Sequence, residues 1–148
     1  MEYGIIALLQ AVSRSVGRIG MSDDASRQIR ENVLYDRRYP VHRIADKLLP
    51  YLRALVEQFH PEQVILFGSY AYGEPDEHSD VDLLVVKPVQ ESRLKDKIAI
   101  RAAWWPILLS GSPLSFDLLL ANPKEHARRS LAGSAYYKEI TEKGLRLV

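Results

Sequence analysis

The chain of 148 residues has no cysteine. Disulfides and thiolate zinc sites are therefore excluded, and the redox compartment stays open. No run approaches the ~20 apolar residues that cross a bilayer. The apolar stretch at residues 3–12 is short and interrupted by Gln10, and Glu2 carries the wrong charge for the start of a signal peptide. A cytoplasmic protein without membrane contact is expected. An excess of one charge sign is missing as well, because 20 Lys and Arg oppose 19 Asp and Glu for a net charge of +1. Direct binding of nucleic acid through a broad basic surface is therefore not expected. Repeats, low-complexity tracts and linkers are also absent. What remains is an ordinary globular composition, 47% hydrophobic and 26% charged. The length suffices for one domain with a real core.

The most informative stretch is residues 66–86. Residues 64–67, Val-Ile-Leu-Phe, form a short β-branched and aromatic run closed by Gly68-Ser69. Such a run reads as a buried strand leaving its sheet. A second apolar strand follows at residues 81–86, with Asp80 and Asp82 at its mouth. Side chains alternate along a strand, so these two acids project from one face, roughly 6–7 Å apart. Carboxylates that close repel each other, and both stay ionised when a cation sits between them. Oxygen ligands at this spacing suit Mg²⁺ or Mn²⁺, which bind one or two carboxylates together with substrate phosphates. An EF-hand is excluded, because the turn glycine is missing and residues 81–86 are too apolar for a loop.

The Gly-Ser turn is the complementary half. Gly68 lets a bulky anion approach the backbone, and Ser69 offers a hydroxyl and an N–H. A helical turn over residues 70–72 would add further N–H groups. A phosphate cradle beside a metal pair is the layout phosphoryl or nucleotidyl transfer requires. Residues 113–120 read as a third strand whose one charge is Asp117. A charge in the middle of an apolar strand is costly unless it is paired or bound to a metal, and the metal site supplies a reason for it.

Gly-Ser, ten residues, Asp-x-Asp, then a lone Asp in a later strand resembles the minimal nucleotidyltransferase family of the polymerase-beta-like superfamily. The likeness covers residues 64–120. It implies an α+β nucleotidyltransferase fold, with a small mixed sheet flanked by helices in a single domain. It implies that Gly68 and Ser69 hold a nucleoside triphosphate such as ATP. Asp80, Asp82 and Asp117 would bind Mg²⁺ or Mn²⁺, with Asp117 also acting as base. Many members carry Arg where this chain has Tyr72. Small stand-alone members resemble antitoxins that transfer AMP to a tyrosine of a HEPN-type toxin, so a small helical protein partner is implied, with oligomerisation left open. The alternatives are a partner-binding regulator that needs no catalysis and a small-molecule transferase of the aminoglycoside-modifying kind.

Residues 1–40 are expected to form an N-terminal helical extension and residues 41–148 the nucleotidyltransferase domain. Within the extension, Ile5, Ile6, Leu8, Leu9 and Val12 suggest a short helix, Ser22 or Asp23 a helix cap, and residues 25–39 a weakly amphipathic helix. Residues 41–59 show a clear helical period that Pro50 should kink or split. Residues 91–109 read as a helix with Leu94, Ile98, Arg101, Ala102 and Trp105 on one side and both tryptophans in the core. Lys95, Lys97 and Arg101 are candidate triphosphate contacts. Asn122-Pro123 and Ser134 should open two further helices, the second ending at Gly144, and residues 145–148 should supply a small edge strand. His42, His60 and His126 read as structural or exposed, and His78 as a loop residue near Asp80.

Overall fold

The computed structural model describes residues 27–111 and 113–148. The expected helix near residues 5–12 and the cap at Ser22 or Asp23 lie outside these residues. In chain order the elements are α1 (Glu31–Leu34), a 3₁₀ turn (Pro40–Ile44), α2 (Ala45–Phe59), β1 (Gln63–Phe67), α3 (Ser69–Tyr72), β2 (Val81–Val86), α4 (Arg93–Leu109), β3 (Phe116–Ala121), α5 (Pro123–Ala132), α6 (Ala135–Lys143) and β4 (Leu145–Arg146). The strands form one mixed sheet in the order β3-β2-β1-β4. β1 is antiparallel to β2 and β4, and β2 is parallel to β3. The parallel step needs a crossover, which α4 supplies. This is the small mixed sheet flanked by helices that was expected. Among the described residues no helix is long and apolar enough to cross a membrane.

Alternation along the strands divides the molecule. Val64 and Leu66 of β1, Val81, Leu83 and Val85 of β2, and Phe116, Leu118 and Leu120 of β3 point to one face. There they join Leu48, Tyr51, Leu52 and Leu55 of α2 and Ile100, Trp104 and Ile107 of α4 in the main core. Each buried side chain of this size contributes about 1.5–3 kcal/mol. Tyr51, Trp104 and Phe116 form an aromatic knot with centroid separations of 4.3–5.5 Å. The Trp104 Nε1–H donates to the Tyr51 carbonyl at 3.0 Å, which fixes α4 against α2. The opposite face is thinner. Ile65, Phe67, Leu84, Val86 and Ala121 pack there beneath Tyr137 and Ile140 of α6.

Three expectations are corrected. The helix expected over residues 25–39 is not continuous, since only the single turn α1 and loose turns follow Ile29. Its apolar residues are sparse: among the described ones Ile29 and Leu34 are buried in the core, and Val33 and Tyr39 pack partly against it. Of the two outcomes expected at Pro50, kink or split, the split does not occur, since α2 runs through it. Pro50 has no N–H to give the Asp46 carbonyl, and Asp46 is an exposed residue that solvent can reach. The side of α4 read as apolar is its outer side. Leu94, Ile98, Trp105 and Leu109 are exposed, whereas Ile100, Trp104 and Ile107 face the sheet. Adjacent tryptophans lie about 100° apart on a helix, so both cannot share one face.

The helix caps form as expected. The side chains of Asn122 and Ser134 accept hydrogen bonds from the N–H groups of Glu125 and Tyr137. His60, at φ 48°, ends α2 in the left-handed region. Beyond the last helix, β4 adds a short edge strand beside β1. Lys87 and Asp96 form a buried ion pair, 4% and 8% exposed, with Nζ 2.9 Å from Oδ2.

Candidate active site

β1 delivers the chain to Gly68 with φ 72° and ψ −154°, a conformation in practice open only to glycine. The chain then enters α3, a single turn. The N–H groups of Ala71 and Tyr72 both bond the Gly68 carbonyl at 3.1 Å. An anion at this bend would therefore meet the Ser69 hydroxyl and the N–H groups that precede Ala71.

Glycine is required at position 68 for a second reason. A Cβ there would lie 2.0 Å from the Asp82 Oδ2. The carboxylate of Asp82 is thus seated directly against the bend. We predict that Gly68→Ala destabilises the chain by roughly 2 kcal/mol from backbone strain, with the clash against the Asp82 carboxylate added to it. Part of the loss should return in Gly68→Ala combined with Asp82→Ala, because the double variant removes the clash but not the strain. Urea denaturation of the four proteins checks this, and strict additivity would refute the contact.

Asp82 is the register partner of Phe67 on one side and of Asp117 on the other. It is half-buried, while Asp80 and Asp117 are exposed. Burial first, then the charges of Asp117 and Asp80, push the Asp82 carboxyl up to about 6. All three causes act in the same direction, so the three acids share one uncompensated negative field. Asp80 precedes β2 by one residue and has the same parity as Asp82, so the three belong to the thin face of the sheet. Asp117 is not buried as its apolar surroundings suggested, since the second position of β3 opens to solvent on that face. Among the described residues no three His, Asp or Glu side chains are gathered into a group that would hold a metal ion on its own. The donor set nevertheless suits Mg²⁺ or Mn²⁺, which need only one or two carboxylates when substrate phosphates complete the shell. The raised Asp82 carboxyl is a site that a cation would relieve.

The basic candidates of α4 are placed differently. α4 covers the opposite face of the sheet through Ile100, Trp104 and Ile107. Lys95 pairs with Glu91 at 2.6 Å, and Arg101 donates to the Phe116 carbonyl at 3.1 Å. Arg101 thus braces the main chain beside Asp117. His78 is exposed, with its Nε2 3.5 Å from Glu77. His126 is half-buried and bonded through Nδ1 to the Tyr137 hydroxyl, a structural contact.

One feature of the site was not read from the sequence. Tyr136 stands on Phe67 in an edge-to-face contact, with centroids 6.3 Å apart. Burial raises its hydroxyl pKa, and the charges of Asp82 and Asp117 raise it further, so the ring lies within the field of both acids. Tyr72 also acts on Tyr136, and Lys143 approaches the Tyr72 ring at 5.9 Å. The signal was the Ser134 cap, which fixes the first turn of α6 and hence the outward direction of residue 136.

Comparison with known proteins supplies the family. The family model described as a nucleotidyltransferase domain matches residues 46–148. A Methanocaldococcus jannaschii protein named "Putative protein adenylyltransferase MJ0141" is 44% identical over 61 residues, which are 40% of this chain and 54% of that protein. The chain thus spans about half the length of the curated relative it matches. No solved structure matches. With most of its length matched, from α2 through β4, the chain belongs to the nucleotidyltransferase domain family.

Proposed function

We propose that the chain transfers a nucleoside monophosphate, AMP from ATP, to a hydroxyl acceptor, and that the acceptor is a tyrosine on a small helical protein of the HEPN type. One observation carries the chemistry: the carboxylate of Asp82 sits against the Gly68-Ser69 bend while sharing a field with Asp80 and Asp117. Phosphates at the bend would thereby lie beside the acids. Ser69 and the backbone after Gly68 hold and orient the triphosphate. Asp117, exposed on the adjacent strand, takes the proton of the acceptor hydroxyl. The hydroxyl oxygen then bonds to the α-phosphorus, and the bond to the departing pyrophosphate breaks. Mg²⁺ or Mn²⁺, when held by Asp80 and Asp82 with Asp117, neutralises the charge of the phosphates.

The protein acceptor is supported by two observations. The matched relative is named a protein adenylyltransferase. The outer side of α4 also exposes Leu94, Ile98, Trp105 and Leu109 in a row that Arg101 interrupts, and exposed apolar side chains gathered in this way mark surfaces that bind other proteins. The same row favours a second possibility, in which the chain restrains a partner by binding alone.

Incubation with α-labelled ATP, Mg²⁺ and a purified HEPN-type partner tests the proposal. Label is expected on a tyrosine of the partner with the parent chain and is expected to vanish with Asp80→Ala. Neutralisation of the partner without label, unchanged in Asp80→Ala, would overturn transfer in favour of binding.

A further inference from the structure

We propose that Tyr136, with Tyr72 beside it, is the platform on which the nucleobase of the bound nucleotide stacks. This rests on the nucleotidyl-transfer function proposed above and adds where the base lies.

Tyr136 is 56% exposed and Tyr72 40%, which is unusual for large aromatics next to a packed sheet. Neither is a loose surface residue. Tyr136 lies in the first turn of α6, whose Ser134 cap accepts the Tyr137 N–H at 3.2 Å. Tyr137 is buried at 1%, so the turn that sends residue 137 inward sends residue 136 outward. Phe67, buried and paired in register with Asp82, supports the Tyr136 ring from below. The ring is thus held beside the acids at little further cost in conformational freedom. Tyr72 ends the turn that begins at Ser69, so it flanks the same space from the side of the bend.

A triphosphate at the bend leaves its nucleoside to extend along the thin face. Among the described residues the exposed rings there are Tyr72 and Tyr136. Every base has a π-face, and stacking on an aromatic side chain accepts any of them. The rings therefore give affinity for a base without selecting which one.

Equilibrium binding in Mg²⁺, measured for ATP and for inorganic tripolyphosphate, separates this role from others. For Tyr136→Ala, ATP affinity is expected to fall roughly 5- to 100-fold while tripolyphosphate affinity is unchanged. Tyr136→Phe is expected to bind ATP like the parent, since the ring remains. Equal losses for both ligands would show a structural effect, and no loss for either would show a ring outside the site; each overturns the proposal. A loss in Tyr136→Phe as large as in Tyr136→Ala would assign the hydroxyl rather than the ring, and would also overturn it. If the parent chain binds neither ligand, the nucleotide function itself fails and this inference falls with it.

Discussion

Asp82→Asn is expected to remove nucleotidyl transfer by at least about a thousandfold, the scale associated with losing a preorganised charge at a phosphoryl centre. The same variant is expected to be as stable as the parent, or more stable, in a chelator at neutral pH. The reason lies in the sign of the Asp82 shift. Burial and the neighbouring acids raise this carboxyl from 3.8 to about 6. Between those values the folded chain holds a proton that the unfolded chain has released. Stability from this group therefore falls as pH rises through that window and levels off above it. Asn carries no charge and removes that penalty. Thermal denaturation from pH 4 to pH 8 with chelator present checks the claim. The parent should lose stability relative to Asp82→Asn across the window and hold a constant deficit above it. A variant that melts well below the parent at pH 8 would falsify the idea that Asp82 is held there for chemistry at a cost to the fold.

Lys87→Met is the opposite case, in which a charge supports the fold. Nζ of Lys87 donates to Asp96 at 2.9 Å and to the Pro88 carbonyl at 2.7 Å, and the Gln90 N–H reaches the same Asp96 oxygen at 3.2 Å. The pair clamps the end of β2 to the first turn of α4. Burial alone would raise the Asp96 carboxyl, but the Lys87 hydrogen bond, the Gln90 N–H and the Lys87 charge together bring it below its ordinary value. The pair's contribution is thus present above the usual carboxylate range and is lost as pH falls through the lowered folded value. Removing the lysine leaves a buried carboxylate unpaired, and a loss of about 3–5 kcal/mol is expected at neutral pH. The pH dependence should also reverse, with Lys87→Met recovering stability toward acid as Asp96 takes up a proton. Lys87→Met combined with Asp96→Leu should restore much of the loss, because replacing both charges removes the unmet desolvation. Urea denaturation at pH 5 and pH 7.5 would show it, and a loss below about 1 kcal/mol in the single variant would mean that water reaches Asp96.

Much of the fold was legible because short-range rules govern it. The strand 64–67 closed by Gly68, the strand 81–86 and the caps at Asn122 and Ser134 depend on residues within one turn of one another. The misplaced features depend on what packs from a distance. Nothing local to residues 91–109 says which side of that helix meets the sheet, since apolar residues stand on both sides. The position of Asp117 relative to Asp82 follows from a parallel register that a crossover helix sets, and its exposure could not be judged from the apolar letters around it. Lys87 and its partner Asp96 are separated by a loop, so nothing next to either residue announces the buried pair. Tyr136 carried no motif, and only the approach of α6 to β1 brings it to the acids.

The division of β2 and β3 by parity has an evolutionary consequence. One set of alternate residues anchors the protein, and the other set presents the reactive acids. On the thin face the layer is supplied by α6 through Tyr137 and Ile140, after the last acid in the chain, and it has no part in the main core. Substitutions in that thin layer therefore leave the main core, and the strands that carry the acids, in place.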